Sequence, residues 1–330
     1  MKIILFSMLA FLCICGHSIA ESALMIRNDF GDYYLYEYNL ESTEWKSYNT
    51  AFTEPFLIQG RIDDRPLIAD YVSESDRIDL YGYEGEGYCS LVVSAGNTDL
   101  DDIDYVFAYY DGWIYVVSED DMILRIKDGT IQELAHAANG WMTSDMCVEF
   151  PVVSPSGRIA FWNEIDEMVG LSIIYVEDDV VTTDFIPAYG HSAGASGNDY
   201  FEPMPPMIWL DDTKVLGFLA RLDAESDVYS TDAVCIDVDS HSYSQYLDVN
   251  GTPVCFQNDQ FSGHPFLTAD GKNILLIAGD PLGRCWTKFE YAPNEKWLSQ
   301  FSLETGELVH LTELPDDQTT MRIHSIISAN

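Results

Sequence analysis

Five residues near the middle of the chain have the spacing that acyl-transfer chemistry uses. Gly190-His191-Ser192-Ala193-Gly194 is a glycine–x–serine–x–glycine run. In that pattern the small residues let a strand turn sharply into a helix and lift a nucleophilic hydroxyl. The flanks do not supply the helix. "TTDFIPAY" precedes the run and carries Pro187, and "ASGNDYFEPMPPM" follows it. Gly197 with Pro203, Pro205 and Pro206 prevents a helix of useful length. The expectation is a glycine-rich connector with no catalytic residue, in which His191 and Ser192 are ligand contacts.

Three further groupings could bind. "NTDLDDIDY" sets Asp99, Asp101 and Asp104 close together, and carboxylates at near-alternate positions converge on Ca²⁺ when a loop bends them inward. The run lacks the sixth-position glycine and twelfth-position glutamate of an EF-hand loop. It reads either as a calcium site or as a solvated acidic loop, and no other cofactor is implied. Arg284 and Trp286, with Lys288 and Tyr291, form a basic and aromatic group that is rare in so acidic a chain. His136, His191, His241, His264, His310 and His324 are scattered, without the H-x-x-x-H spacing of a metal pair on one helix face.

Charge narrows the partners. Sixteen Lys and Arg against 55 Asp and Glu give a net charge of −39 over 330 residues. That field repels nucleic acid and anionic lipid. The chain starts "MKIILFSMLAFLCICGHSIAES": one lysine, an apolar run, then Ser18 and Ala20 at −3 and −1 of a cleavage point. This is the form of a secretory signal peptide. Residues 1–20 are therefore expected to be removed, leaving 21–330 exported, periplasmic or secreted, with no membrane insertion afterwards. Cys13 and Cys15 leave with the signal, and Cys89, Cys147, Cys235, Cys255 and Cys285 remain. Export permits disulfides. Cys235 sits in a strand-like run and reads as a buried thiol, whereas Cys255 and Cys285 lie in polar segments and are the candidate pair.

The elements that must position these groups are strands. "YYLYEYNL" (33–40), "WIYVV" (113–117), "MILRI" (122–126), "RIAFW" (158–162), "LSIIYVE" (171–177) and "NILLIAG" (273–279) are short β-branched and aromatic runs. Asp-Gly, Ser-Gly and Asp-Asp turns divide them, as tight hairpins require. One pattern recurs in "PVVSPSGRIAFW" from Pro151, "PMIWLDDTKVLGFL" from Pro206 and "PFLTADGKNILLI" from Pro265. It reads proline, apolar strand, polar turn, basic residue, second apolar strand. Weaker markers are "NDFGDYYLYEY", "SESDRIDLYGY" and "AYYDGWIYVV". Six copies of roughly 50 residues match the length of a four-stranded propeller blade.

"SPSGRIAF" and "TADGKNILLI" resemble the repeat signature of TolB-like β-propellers, and "LETGELVHLTEL" resembles that family's outermost strand. The likeness is good over 150–314 and faint over 24–149. It implies one all-β domain, a six-bladed β-propeller of four-stranded antiparallel blades, or seven-bladed if 41–110 hides another copy. "MRIHSII" (321–327) or "SALMIRN" (22–28) would close the ring.

If the "PSG", "DDT" and "ADG" turns join first and second strands, the remaining connections collect on the opposite face. That face would hold long loops at 162–170, 188–203, 221–231, 249–264 and 278–297. The expected role is a non-catalytic scaffold binding a protein, peptide or glycan there. The alternative is a hydrolase or lyase working at the channel mouth.

Overall fold

The computed structural model describes residues 22–29, 32–96, 103–118, 122–136, 151–165, 168–177, 180–189, 199–223, 228–257, 260–268, 270–279, 296–314 and 326–329. These residues are almost wholly β, with one short 3-10 turn at Ser73–Ser75. The first sheet contains β1 (Ser22–Asp29), β2 (Asp32–Asn39) and β3 (Glu44–Asn49), and β25 (Ile326–Ala329) pairs on the far side of β1. Next come β4 (Pro55–Ile62), β5 (Arg65–Val72), β6 (Arg77–Gly85) and β7 (Tyr88–Ala95). The third group is β8 (Ile103–Tyr110), β9 (Trp113–Ser118), β10 (Met122–Lys127) and β11 (Thr130–His136). The fourth is β12 (Val152–Val153), β13 (Ile159–Ile165), β14 (Met168–Glu177) and β15 (Val180–Tyr189). The fifth is β16 (Asp199–Trp209), β17 (Lys214–Asp223), β18 (Val228–Asp237) and β19 (Ser242–Gln245), with β20 (Cys255–Gln257) also pairing on β18. The last is β21 (Gln260–Leu267), β22 (Asn273–Gly279), β23 (Lys296–Ser302) and β24 (Leu308–Glu313). Within each group successive strands are antiparallel neighbours.

The sequence explains both the meanders and their stacking. Tight reversals fall where residues accept positive φ, as at Asp63 (51°) with Asp64 (62°) and Asp111 (50°) with Gly112 (80°). Two successive positive values give the backbone twist that matches the flanking strands. Inner strands read as unbroken apolar runs because both of their faces are covered. In β1, Ala23 and Met25 pack on the last group, through Leu275, Ile277 and Leu298. Leu24 and Ile26 point the other way, against Leu57 and Ile68 of the second group.

The same arrangement recurs all round the molecule. Separate cores join the second and third groups, the third and fourth, the fourth and fifth, and the fifth and last. The innermost strands also follow one another in a cycle. β25 touches β4, β4 touches β8, β8 touches β12, β12 touches β16, β16 touches β21, and β21 returns to β25. Four-stranded meanders stacked face to face and closed in this way are a β-propeller, an architecture that leaves only short outer edges.

The tightest approach between innermost strands is at Gly60. It has φ +118°, and a Cβ there would lie 2.3 Å from the Tyr109 carbonyl oxygen. Only glycine allows β4 and β8 to come this close, and their one parallel bridge, Gln59 to Ala108, is next to it.

Four sequence expectations can be compared with this fold. The "PSG", "DDT" and "ADG" turns do join first to second strands, β12 to β13, β16 to β17 and β21 to β22. "SESDRIDLYGY" does not: it spans the β5–β6 turn, and the matching first-to-second turn is "RIDDRPLI" at 61–68. Of the two candidate closure segments, the C-terminal one pairs beside β1, Leu24 opposite Ile327. The 41–110 region holds β3, one complete meander, β4 to β7, and β8.

The long-loop expectation needs correction. At 162–170 the strands continue until Ile165 faces Met168, and at 221–231 until Asp223 faces Val228. Polar side chains there alternate along extended ladders, because backbone pairing continues regardless of side-chain polarity.

Candidate functional site

Strand direction sorts every connection to one of two ends. The first-to-second turns lie at one end, and the crossovers between groups lie at the other, together with the second-to-third hairpins. Three segments singled out from the sequence attach at this crossover end. The acidic run lies between the end of β7 and the start of β8, the glycine-rich run between β15 and β16, and the Arg284 segment between β22 and β23. The last of these leaves a closed ladder, since Gly279 and Lys296 are paired neighbours.

Asp99, Asp101, His191, Ser192, Arg284, Trp286 and Cys285 themselves lie outside the described residues, as do residues 1–21. Asp104 is exposed on β8, near its start. Cys255 is exposed on β20, and its proposed partner lies beyond the described set. Cys235 is a half-buried free thiol, and burial raises its pKa. Among the described residues no group of three His, Cys, Asp or Glu is placed to hold a metal ion.

The crossover end does contain a buried polar cluster that the sequence reading did not anticipate. Asp70 on β5 and Asp79 on β6 are paired neighbours across the ladder, and they are only 4% and 3% exposed. Asp70 Oδ1 accepts the backbone N–H groups of Thr53 (2.8 Å) and Glu54 (2.7 Å). It therefore secures the crossover from β3 into β4. Asp79 accepts from Arg77 Nε at 2.9 Å and from Ser94 Oγ at 2.5 Å. Burial raises the Asp70 pKa, and the neighbouring Asp79 charge adds to the rise. A sequence signal for this cluster does exist: Asp70 and Asp79 interrupt apolar strand runs, where an acid must find partners.

A second buried arrangement lies on β23 and β24. Ser299 Oγ is 2.9 Å from His310 Nδ1, and the imidazole stacks on Trp297 with centroids 4.7 Å apart. The atoms are those of a serine–base pair, but Ser299 has no exposed surface. An external substrate cannot reach it, so the pair ties two strands together. Both buried clusters position the chain and leave its reacting chemistry undefined.

At the opposite end, the turns of the fourth and fifth groups are bound to each other. The Ser156 N–H donates to Asp212 Oδ1 at 2.8 Å, and Arg158 Nη1 donates to the Asp212 carbonyl at 2.9 Å. The same guanidinium pairs with Asp239 at 3.0 Å and lies over the Tyr175 ring. His241 Nε2 stands 2.7 Å from Asp184 Oδ2. A shallow cleft of about 340 Å³ lies between the fifth and last groups, lined by Asp248, Thr252, Cys255, Thr305 and Gly306 among others.

Comparison with known proteins adds little to this geometry. No protein family matches the chain, and no curated protein matches it. Among solved structures, a periplasmic gluconolactonase of Pseudomonas aeruginosa is similar at 11% identity, over 94% of this chain and 99% of that one, with a TM-score of 0.49. A protein from Lactobacillus plantarum is similar at 10% identity, over 89% and 82%, with a TM-score of 0.49. The β-propeller domain of Nup133 from Vanderwaltozyma polyspora is similar at 12% identity, over 94% and 83%, with a TM-score of 0.41. At these identities and scores no activity carries over to this chain.

Proposed function

We propose that this chain is an exported, six-bladed, TolB-like propeller that binds a protein, peptide or glycan at its crossover end. Residues 1–20 act as the signal peptide, and residues 21–330 form one domain, periplasmic or secreted. The cyclic order of innermost strands favours six blades. One observation carries the binding reading: the strands that bracket the 97–102, 190–198 and 280–295 segments all end on the same face. Connections held on a rigid scaffold are where proteins place their contacts. On this reading His191, Ser192, Arg284 and Trp286 touch the partner, Asp99, Asp101 and Asp104 hold calcium or stand solvated, and Cys255 bonds to Cys285.

The test is direct. The mature chain, immobilised, is screened against peptide and glycan arrays and against its own exported proteome, and the retained partner is then titrated. Trp286→Ala and Arg284→Ala are expected to weaken that partner about tenfold each. Retention unchanged in both variants would overturn the assignment of this face.

A further inference from the structure

The outermost strand of each group shows how a propeller edge is kept from pairing with other chains. An edge strand presents unmet N–H and C=O groups, and charge, proline or shortness normally guards it. Among the described residues, β3 carries Glu44 and Lys46, and β11 carries Glu133. β15 carries Asp184 and Pro187, and β24 carries Glu313. β19 is only four residues long. β7 has none of these guards. Its eight residues, "YCSLVVSA", contain no charge and no proline.

β7 also exposes apolar surface. Tyr88 is 71% and Leu91 55% exposed, the former the most exposed large apolar side chain among the described residues. Its neighbouring polar groups are already engaged. Ser94 donates to Asp79, and Ser90 donates to Glu84, which pairs with Arg65 at 3.0 Å. A bulge opposite Leu80 and Tyr81 leaves Val92 without a ladder partner and divides the strand into two straight stretches.

We propose that β7 is the contact through which two copies of this chain associate, antiparallel and edge to edge about a two-fold axis. The net charge of −39 selects the occupant. Two such molecules repel over most of their surfaces, and the uncharged strand is where that repulsion is least. Antiparallel pairing about a two-fold gives each strand an identical partner. Centred between Leu91 and Val92, it sets Tyr88 opposite Ala95, a large side chain over a small one. The area is below that of a standard interface, so the association is weak and calls for roughly 100 µM protein to be seen.

Sedimentation equilibrium of the mature chain at low and high salt tests this. Dimer is expected, and its fraction rises with salt as the mutual repulsion is screened. Leu91→Lys places a charge on the edge and is expected to weaken association at least about tenfold. Ile131→Lys, on the already guarded β11, leaves it unchanged. If Leu91→Lys fails to fold by circular dichroism, Tyr88→Lys gives the same reading. A monomer at every salt leaves the edge to solvent or to another protein's strand, and overturns the proposal. So does equal association by the β7 and β11 variants.

Discussion

Asp70 holds a peptide segment by its side chain, and its stability contribution has a sign that can be checked. A carboxyl whose folded pKa is raised binds its proton more tightly when folded. Its stabilisation is complete below the unfolded value of 3.8 and falls as pH rises through the higher folded value. Asp70→Asn retains the Oδ1 acceptor for Thr53 and Glu54 and removes the charge. Urea denaturation is expected to show the variant gaining on the wild type from pH 4 to pH 7, and a constant difference would refute the sign. Asp70→Ala leaves both N–H groups unmet and should cost about 2 kcal/mol. Little of this was legible beforehand. The residues that meet Asp70 lie 16 and 17 positions upstream, and no local pattern links them.

At the scale of elements, hairpins were more legible than the contacts between them. "SPSGR", "LDDTK" and "TADGK" announce their turns because Asp, Ser and Gly accept the required backbone angles and fold the chain locally. "RIDDRPLI" performs the same task but lacks the spacing of the others, and "SESDRIDL" imitates it at the wrong turn. Loop lengths misled for a related reason. Polar residues at strand ends look like loop when the ladder that holds them is formed with a non-local strand. The pairing of Arg158 with Asp239 joins two groups and can be measured. A double-mutant cycle with Arg158→Ala and Asp239→Ala should return a coupling of about 0.5 kcal/mol, as befits a partly exposed ion pair. Additive effects would mean that the guanidinium works through the Asp212 carbonyl alone.

For the whole molecule, the ring depends on β25. Met25 faces Ile326, so the first and last described strands share a sheet. Ending the chain after Ser325 removes that strand and leaves the β1 edge unmet. The melting temperature is expected to fall by about 10 °C or more, with a broader transition in calorimetry. An unchanged melt would show that the stacked cores alone hold the ring.

That same pairing sets a timetable. β1 is among the first strands to be synthesised, yet its partner on one side appears only after nearly the whole sequence has been made. During that interval a strand buried on both faces waits with one row of backbone groups unsatisfied. Contacts so distant in sequence are slow to form. The final docking of β25 is thus the natural slow step, and the waiting β1 is where a chaperone would have most to protect.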